Sequence, residues 1–184
     1  MEGYEKMRKL ILASLGLLLM SAPGWAQESI TPKAEVFGGF SLSSMGNSGV
    51  VPSTRTQFYG WQGAVNGNLT RNLGIVADMG GQYKSIAGVS VNNYQFLFGP
   101  QISMRKDKVT PFAHMLFGVN RTSSLGLSSS NLGLGVGGGL DLNVSDHLAI
   151  RVPQFDWTPV RAGGVWNNNI IRIGFGLVFK VGEK

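Results

Sequence analysis

The sequence predicts an all-β fold in which eight antiparallel strands run up and down to close a barrel, and three features predict it. Glycine is abundant, 27 of 184 residues, beside 10% aromatic and only 14% charged residues; glycine at that level depresses helix formation while aromatic side chains favour strands. Segments of roughly ten residues or more alternate apolar with small or polar side chains, the period of a sheet whose two faces meet different surroundings. The connections between these segments alternate between tight turns and longer stretches rich in Ser, Asn and Gly.

A segment built for export precedes the strands. Lys6, Arg8 and Lys9 lead into the apolar run Leu10 to Met20, which exits through small residues at Gly24 and Ala26. This is the pattern of a signal peptide, with cleavage expected after Ala26 and residues 27–184 forming the barrel domain. The run is shorter than the about 20 residues that a spanning helix needs. The chain has no Cys, which excludes disulfides, thiol chemistry and thiolate zinc sites. Beyond Ala26, 13 Lys or Arg stand against 8 Asp or Glu without a basic run, so no nucleic-acid partner is expected.

The first strand, Lys33 to Ser43, sets Ala34, Val36, Phe40 and Leu42 against Lys33, Glu35, Phe37 and Ser41. The second, Gln57 to Leu69, sets Tyr59, Trp61, Val65 and Leu69 against Gln62, Asn66 and Asn68. In the third, Leu73 to Lys84, Leu73, Ile75, Ala77, Met79 and Tyr83 oppose Asp78, Gln82 and Lys84. In the fourth, Asn92 to Arg105, Tyr94, Phe96, Phe98, Ile102 and Met104 oppose Gln95, Gln101, Ser103 and Arg105. The fifth, Val109 to Arg121, carries Val109, Ala113, Met115, Phe117 and Val119 on one side. The sixth, Asn131 to Asn143, places Leu132, Leu134, Val136, Leu140 and Leu142 opposite Asn131, Asp141 and a line of glycines.

The seventh strand alternates through Leu148, Ile150 and Val152 against Ala149 and Arg151, but Gln154 and Asp156 then fall in the apolar register. One extra residue at Pro153 repairs the pattern; proline has no N–H for the ladder and is commonly placed at bulges, so a β-bulge is predicted there, returning Asp156 to the face of Arg151. The eighth, Asn168 to Phe179, sets Ile171, Ile173, Phe175, Leu177 and Phe179 against Arg172, Gly174 and Gly176.

Tight turns are predicted at Thr70 to Asn72, Lys106 to Lys108 and Val144 to Asp146, and longer loops at Ser44 to Thr56, Ser85 to Val91, Thr122 to Ser130 and Thr158 to Asn167. In a soluble barrel the apolar face fills the interior, whereas in a membrane barrel it meets lipid. Here the apolar faces carry no charge once the bulge is admitted, and Tyr59, Tyr83, Tyr94, Trp157 and Phe179 lie near strand ends as interfacial girdles do. The expected fold is therefore an eight-stranded antiparallel up-and-down transmembrane β-barrel, with the soluble, lipocalin-like carrier as its rival.

Several short patterns carry a resemblance: Ala34-Glu35-Val36-Phe37-Gly38-Gly39, Pro111-Phe112-Ala113-His114 with Phe117-Gly118-Val119, the glycine-rich Leu132 to Asp141, and Ile171-Arg172-Ile173-Gly174-Phe175-Gly176. From about Lys33 to Phe179 the chain resembles the outer-membrane protein β-barrel family, the group like the OmpA transmembrane domain. The resemblance implies a bacterial outer-membrane location, lipid and lipopolysaccharide as surroundings, and insertion by the barrel-assembly machinery. Family barrels commonly end on an aromatic residue, whereas here Phe179 is followed by Lys180 to Lys184. No peptidoglycan-binding domain is expected after the barrel.

The polar face supplies Glu35, Asp78, Asp141 and Asp156 against Lys84, Arg105, Arg151 and Arg172. Isolated charges in a low-dielectric interior each cost several kcal/mol, so these residues, with an inward His114, are expected to form a structural polar network. Gly133, Gly135, Gly137 and Gly139 should leave room for long Arg and Lys side chains. The spacing Gly133-x-Gly135-x-x-Gly138 matches a dinucleotide fingerprint, but an alternating strand runs through it where a helix is required.

His114 with Ser103 or Asp78 invites comparison with outer-membrane lipid hydrolases, yet an inward histidine does not face the lipid it would have to serve. His114 and His147 are too few and too far apart to suggest a metal site. No cofactor, metal or catalytic residue is predicted. The loops contain Arg55, Arg121 and Arg161 and no acid, and arginine recognises phosphate bidentately, so contacts to lipopolysaccharide phosphates are expected there. The function expected is non-enzymatic, structural or surface-interacting, in envelope integrity or adhesion. The alternatives are a narrow pore, a lipid-modifying enzyme and the soluble carrier.

Overall fold

The computed structural model describes residues 31–46, 55–86 and 88–183. The predicted leader at residues 1–26 and most of the first long loop lie outside the described residues. The chain forms β1 (Pro32–Gly46), β2 (Arg55–Asn68), β3 (Leu73–Ile86), β4 (Val89–Ser103), β5 (Val109–Ser124), β6 (Leu127–Asn143), β7 (Leu148–Trp157), β8 (Val160–Ala162), β9 (Val165–Asn167) and β10 (Ile170–Glu183).

Eight of these close a ring. Each strand from β1 to β6 pairs antiparallel with the next, β7 pairs with β10, and β10 returns to β1 with Val36 opposite Phe179 and Leu42 opposite Ile173. Closure removes the sheet edges that a bilayer could not hydrogen-bond. The extra pair, β8 and β9, is a small hairpin in the connection between β7 and β10, held to β6 through Leu132 opposite Arg161.

The two faces divide as the alternation requires. Val65, Ile75, Phe96, Phe98, Ile102, Met115, Phe117, Phe155 and Phe179 point outward and are exposed, while Gln62, Asp78, Gln95, Gln101, Asn120 and Arg172 are buried inside. An apolar exterior around a polar interior is the membrane arrangement and reverses that of a soluble carrier. A cluster of Phe37, Ala64, Val76, Leu97, Leu116, Ala149 and Val178 shares the interior. In an eight-stranded barrel the lumen is just wide enough for side chains to fill.

The bulge at Pro153 is present. Gln154 stands opposite Gly174 and Gly139, but Arg151 stands opposite Gly176 and Asp141, so β7 carries one more residue than either neighbour between those points. Val152 and Pro153 are consequently exposed side by side, and Arg151, Gln154 and Asp156 all turn inward.

Three expectations are corrected. The stretches Ser85 to Val91 and Thr122 to Ser130 are not long loops: β3 and β4 pair to Ile86 opposite Val89, and β5 and β6 pair to Ser124 opposite Leu127. Beyond the bilayer both faces meet water, so the strands lose their alternation but keep their backbone ladder. The β5–β6 turn has Leu125 and Gly126 at φ of 51° and 77°, the positive pair that a type I′ hairpin demands. Likewise Thr158 to Asn167 contains the β8–β9 hairpin. Finally, Phe179 does not end the last strand, since Lys180 and Val181 continue the ladder opposite Glu35 and Ala34.

Candidate functional site: the filled interior and the loop-side rim

Inward positions, some directly opposite on paired strands (Asp141 and Arg151, Asp156 and Arg172) and some on strands that are not adjacent, bring the predicted charges into three groups. Towards the short-turn end, Arg105 forks onto Glu35, Nη1 to Oε1 at 2.6 Å and Nη2 to Oε2 at 3.2 Å. Its Nη2 also donates to Asn68 Oδ1 and its Nε to the Arg71 carbonyl, while Asn66 donates to Glu35. In the second group Arg151 holds Asp141 bidentately, Nε to Oδ1 at 2.8 Å and Nη2 to Oδ2 at 3.0 Å. The same guanidinium lies between two rings, 4.5 Å from the centroid of Phe37 and 4.1 Å from that of Phe112, so cation–π attraction supplements the ion pair.

The third group centres on Arg172, whose exposure is 0%. Its Nη1 donates to Asp78 Oδ1 at 2.8 Å, and its Nη2 and Nε donate to Asp156 Oδ2 at 2.7 and 3.1 Å. Gln62 donates to the other oxygen of Asp78, and His114 Nε2 lies 2.9 Å from Asp156 Oδ1. Gln154 joins the last two groups, accepting from Arg151 and donating to Asp156. Buried charges are tolerable when each is paired, and every carboxylate and guanidinium of these groups is; Gln62 Oε1, Asn66 Oδ1 and His114 Nδ1 have no hydrogen-bond partner among the described residues.

Two details of the sequence expectation change. Lys84 belongs to the inward register but sits half-buried at the loop-side rim, and among the described residues it joins no acid; Asp78 and Asp156 share Arg172 instead. The missed base is Lys180, whose Nζ donates to Asn143 Oδ1 at 2.7 Å at the turn end. The signal for it was the alternation of the last strand, which carries past Phe179. The four inward glycines of β6 make room for apolar side chains and a carboxylate rather than for Arg and Lys. A Cβ on Gly135 would meet Leu97 and Leu116, one on Gly139 would meet Phe112, and one on Gly137 would meet Asp156.

Of the residues considered for acyl transfer, His114 is inward and bonded to Asp156, Ser103 accepts from Gln101, and Asp78 is held by Arg172 and Gln62, so among the described residues His114 bonds to neither of the partners considered for it.

The loop-side rim carries accessible charge as well. Arg55 opens β2 opposite Gly46 of β1, Arg121 stands opposite Tyr94 and Ser130, and Arg161 stands opposite Leu132. Residues directly opposite share a face, so all three arginines lie on the outward side, and all three are exposed. Around them are the aromatic residues with polar heads. Trp61 Nε1 donates to the Tyr83 hydroxyl at 3.1 Å, the Tyr59 hydroxyl to Gln57 at 3.2 Å, and Trp157 Nε1 to the Asn168 carbonyl at 2.6 Å. Phe179 lies at the opposite, short-turn end.

Comparison with known proteins agrees with this architecture. The profile of the outer membrane protein beta-barrel domain family matches residues 12–179. No curated protein sequence matches. The crystal structure of Neisserial surface protein A (NspA) superposes with a TM-score of 0.66 at 14% identity, over 80% of this chain and 97% of that one. Ail, the attachment invasion locus protein of Yersinia pestis, gives 0.55 at 14% identity, over 81% and 98%. The N-terminal β-barrel domain of Pseudomonas aeruginosa OprF gives 0.53 at 11% identity, over 80% and 97%. With lipid-facing walls, a polar interior and these relatives in fold, the chain belongs to the outer membrane protein β-barrel domain family and is an eight-stranded barrel of the bacterial outer membrane.

Proposed function

We propose that this barrel has a non-enzymatic, structural or surface-interaction role in the envelope, and that its outward rim arginines Arg55, Arg121 and Arg161 contact lipopolysaccharide phosphates. The observation that carries the first part is the interior: Glu35, Asp78, Asp141, Asp156, Arg105, Arg151, Arg172 and His114 are spent on one another. A lumen closed by such pairs, with Phe37, Leu97 and Leu116 filling the rest, favours a rigid plug over a conduit. The second part rests on three exposed guanidinium groups at the level of the aromatic girdle, where lipid phosphates lie.

Purified barrel in planar bilayers should give no stepwise conductance, and it should release no fatty acid from phospholipid. Cells lacking the chain should become sensitive to detergent and recover when it is restored. Sustained sugar flux would make the protein a pore, and lipid hydrolysis lost in His114→Ala would make it an enzyme. Lipopolysaccharide that co-purifies equally with wild type and with the triple Arg55→Ala, Arg121→Ala, Arg161→Ala variant would remove the phosphate reading.

A further inference from the structure

We infer that the outer wall at the β1–β10 seam is a seat for one molecule of phosphorylated glycolipid, the lipid A portion of lipopolysaccharide, with its phosphate on Arg55 and an acyl chain in the groove below. The inference rests on the rim reading above and deepens it by naming one position on the wall. Residue registers stack three rows on the outward face there. Tyr59, Leu42, Ile173 and Phe155 form the lowest, Gln57, Ser44, Ile171 and Trp157 the next, and Arg55 and Gly46 the top. Successive rows are two residues apart, about 7 Å along the strand.

Along β1 the side chains shrink upward from Leu42 through Ser44 to Gly46, while their lateral neighbours stay large. The result is a depression of about 160 Å³ lined by Leu42, Ser43, Ser44, Gln57, Ile171 and Ile173. Its walls are mostly apolar and it opens to the lipid side, so a few methylenes of one acyl chain fill it better than water does.

The head of the groove has the complementary chemistry. Arg55 Nη1 donates to Ser44 Oγ at 3.4 Å, a long bond that holds the guanidinium over the groove mouth, and among the described residues its other N–H groups have no partner and can meet a ligand. Trp157, in the Ser44 row, donates its indole N–H to the Asn168 carbonyl, which places this row at the interface between hydrocarbon and head groups. An arginine one row above an apolar groove therefore meets a phosphate whose chain descends into the bilayer. Short turns mark the periplasmic end of such barrels, so this end faces the outer leaflet.

Native mass spectrometry of the full mature barrel in detergent, with added bisphosphorylated lipid A, tests the seat. Wild type should retain one lipid A, and Arg55→Gln and Ser44→Trp should each weaken retention about tenfold, as expected for loss of one charge-assisted contact or of the groove. Arg121→Gln should not. Dephosphorylated lipid A should bind Arg55→Gln and wild type alike. Each variant is first checked for the heat-modifiable migration of a closed barrel, and Ser44→Leu replaces Ser44→Trp if the latter does not fold.

Retention unaffected by both Ser44→Trp and Arg55→Gln, but lost in the triple arginine variant, would overturn the seat and leave the rim reading standing. Retention unaffected by the triple variant would overturn both. Equal retention of phosphatidylglycerol would overturn the assignment to lipid A.

Discussion

Replacing Arg172 by Met removes the hub of the interior and leaves a shorter, unbranched, uncharged side chain in its place. The guanidinium is 0% exposed and makes three close hydrogen bonds to two carboxylates, Asp78 at 2.8 Å and Asp156 at 2.7 and 3.1 Å. In the variant Asp156 retains Gln154 and His114, and Asp78 retains Gln62, but the guanidinium that both carboxylates share has gone. Removing one partner of a buried ion pair costs about 3–5 kcal/mol, chiefly because an uncompensated charge is left behind. The variant should therefore lose about that much stability. The assay is reversible urea unfolding of the barrel in phospholipid vesicles, followed by tryptophan fluorescence, with boiled and unboiled migration as a check of closure. The reasoning also fixes a rescue: Asp78→Asn and Asp156→Asn, added to Arg172→Met, leave no unpaired carboxylate and should recover more than half of the loss. A single variant within about 1 kcal/mol of wild type, or a triple variant no better than the single, would refute the assignment of Arg172 as the charge-balancing hub.

Other substitutions test separate links. Deleting Pro153 removes the extra residue of β7 and forces either Arg151 or Asp156 onto the lipid face, so the deletion should abolish heat-modifiable folding, whereas Pro153→Ala keeps the residue count and should fold. Gly137→Ala places a Cβ against the Phe155 carbonyl and the Asp156 carboxylate, while nothing lies within 4 Å of a Cβ at Gly38. The first should cost about 1–3 kcal/mol in urea unfolding and the second should be nearly neutral; the reverse order would contradict the packing described. Leu125→Asn suits the positive φ of the β5–β6 turn and should stabilise the barrel by about 0.5 kcal/mol, measured as a shift in urea midpoint. A loss of stability would mean that the Leu125 side chain makes contacts that outweigh its backbone.

Much of the wall was legible in the sequence because the bilayer imposes a local rule. Every second residue must meet hydrocarbon, so Phe96, Phe98 and Ile102 declare one face of their strand and Gln95, Gln101 and Ser103 the other without reference to any distant residue. The same rule exposed the bulge, since Asp156 breaks alternation unless Pro153 is counted out. The three short turns follow from what is left between such segments. The rim arginines could be marked from composition, but their common outward orientation comes from the register of β1, β2, β5, β6 and β8.

The limits of that rule are the places where the expectation missed. Above the bilayer Ser123, Ser128 and Ser129 have water on both sides, so nothing in their order distinguishes a paired strand from a loop, and only the ladder to Ser124 and Leu127 shows that the hairpin continues. The partners inside the barrel were equally hidden. Four acids and four bases could be counted, but Arg172 meets Asp78 across 94 residues, and Lys84 stays at the loop-side rim while Lys180 bonds Asn143 at the turn end. The chain by itself determined which side chains face lipid, because that choice is made residue by residue with period two. Which charge meets which, and where Leu97, Leu116 and Phe112 use the space of the inward glycines, was decided by the register of paired strands, which sets Arg151 opposite Asp141 and Arg172 opposite Asp156, and by strand tilt and closure, since these set the relative heights of residues on strands that are not adjacent.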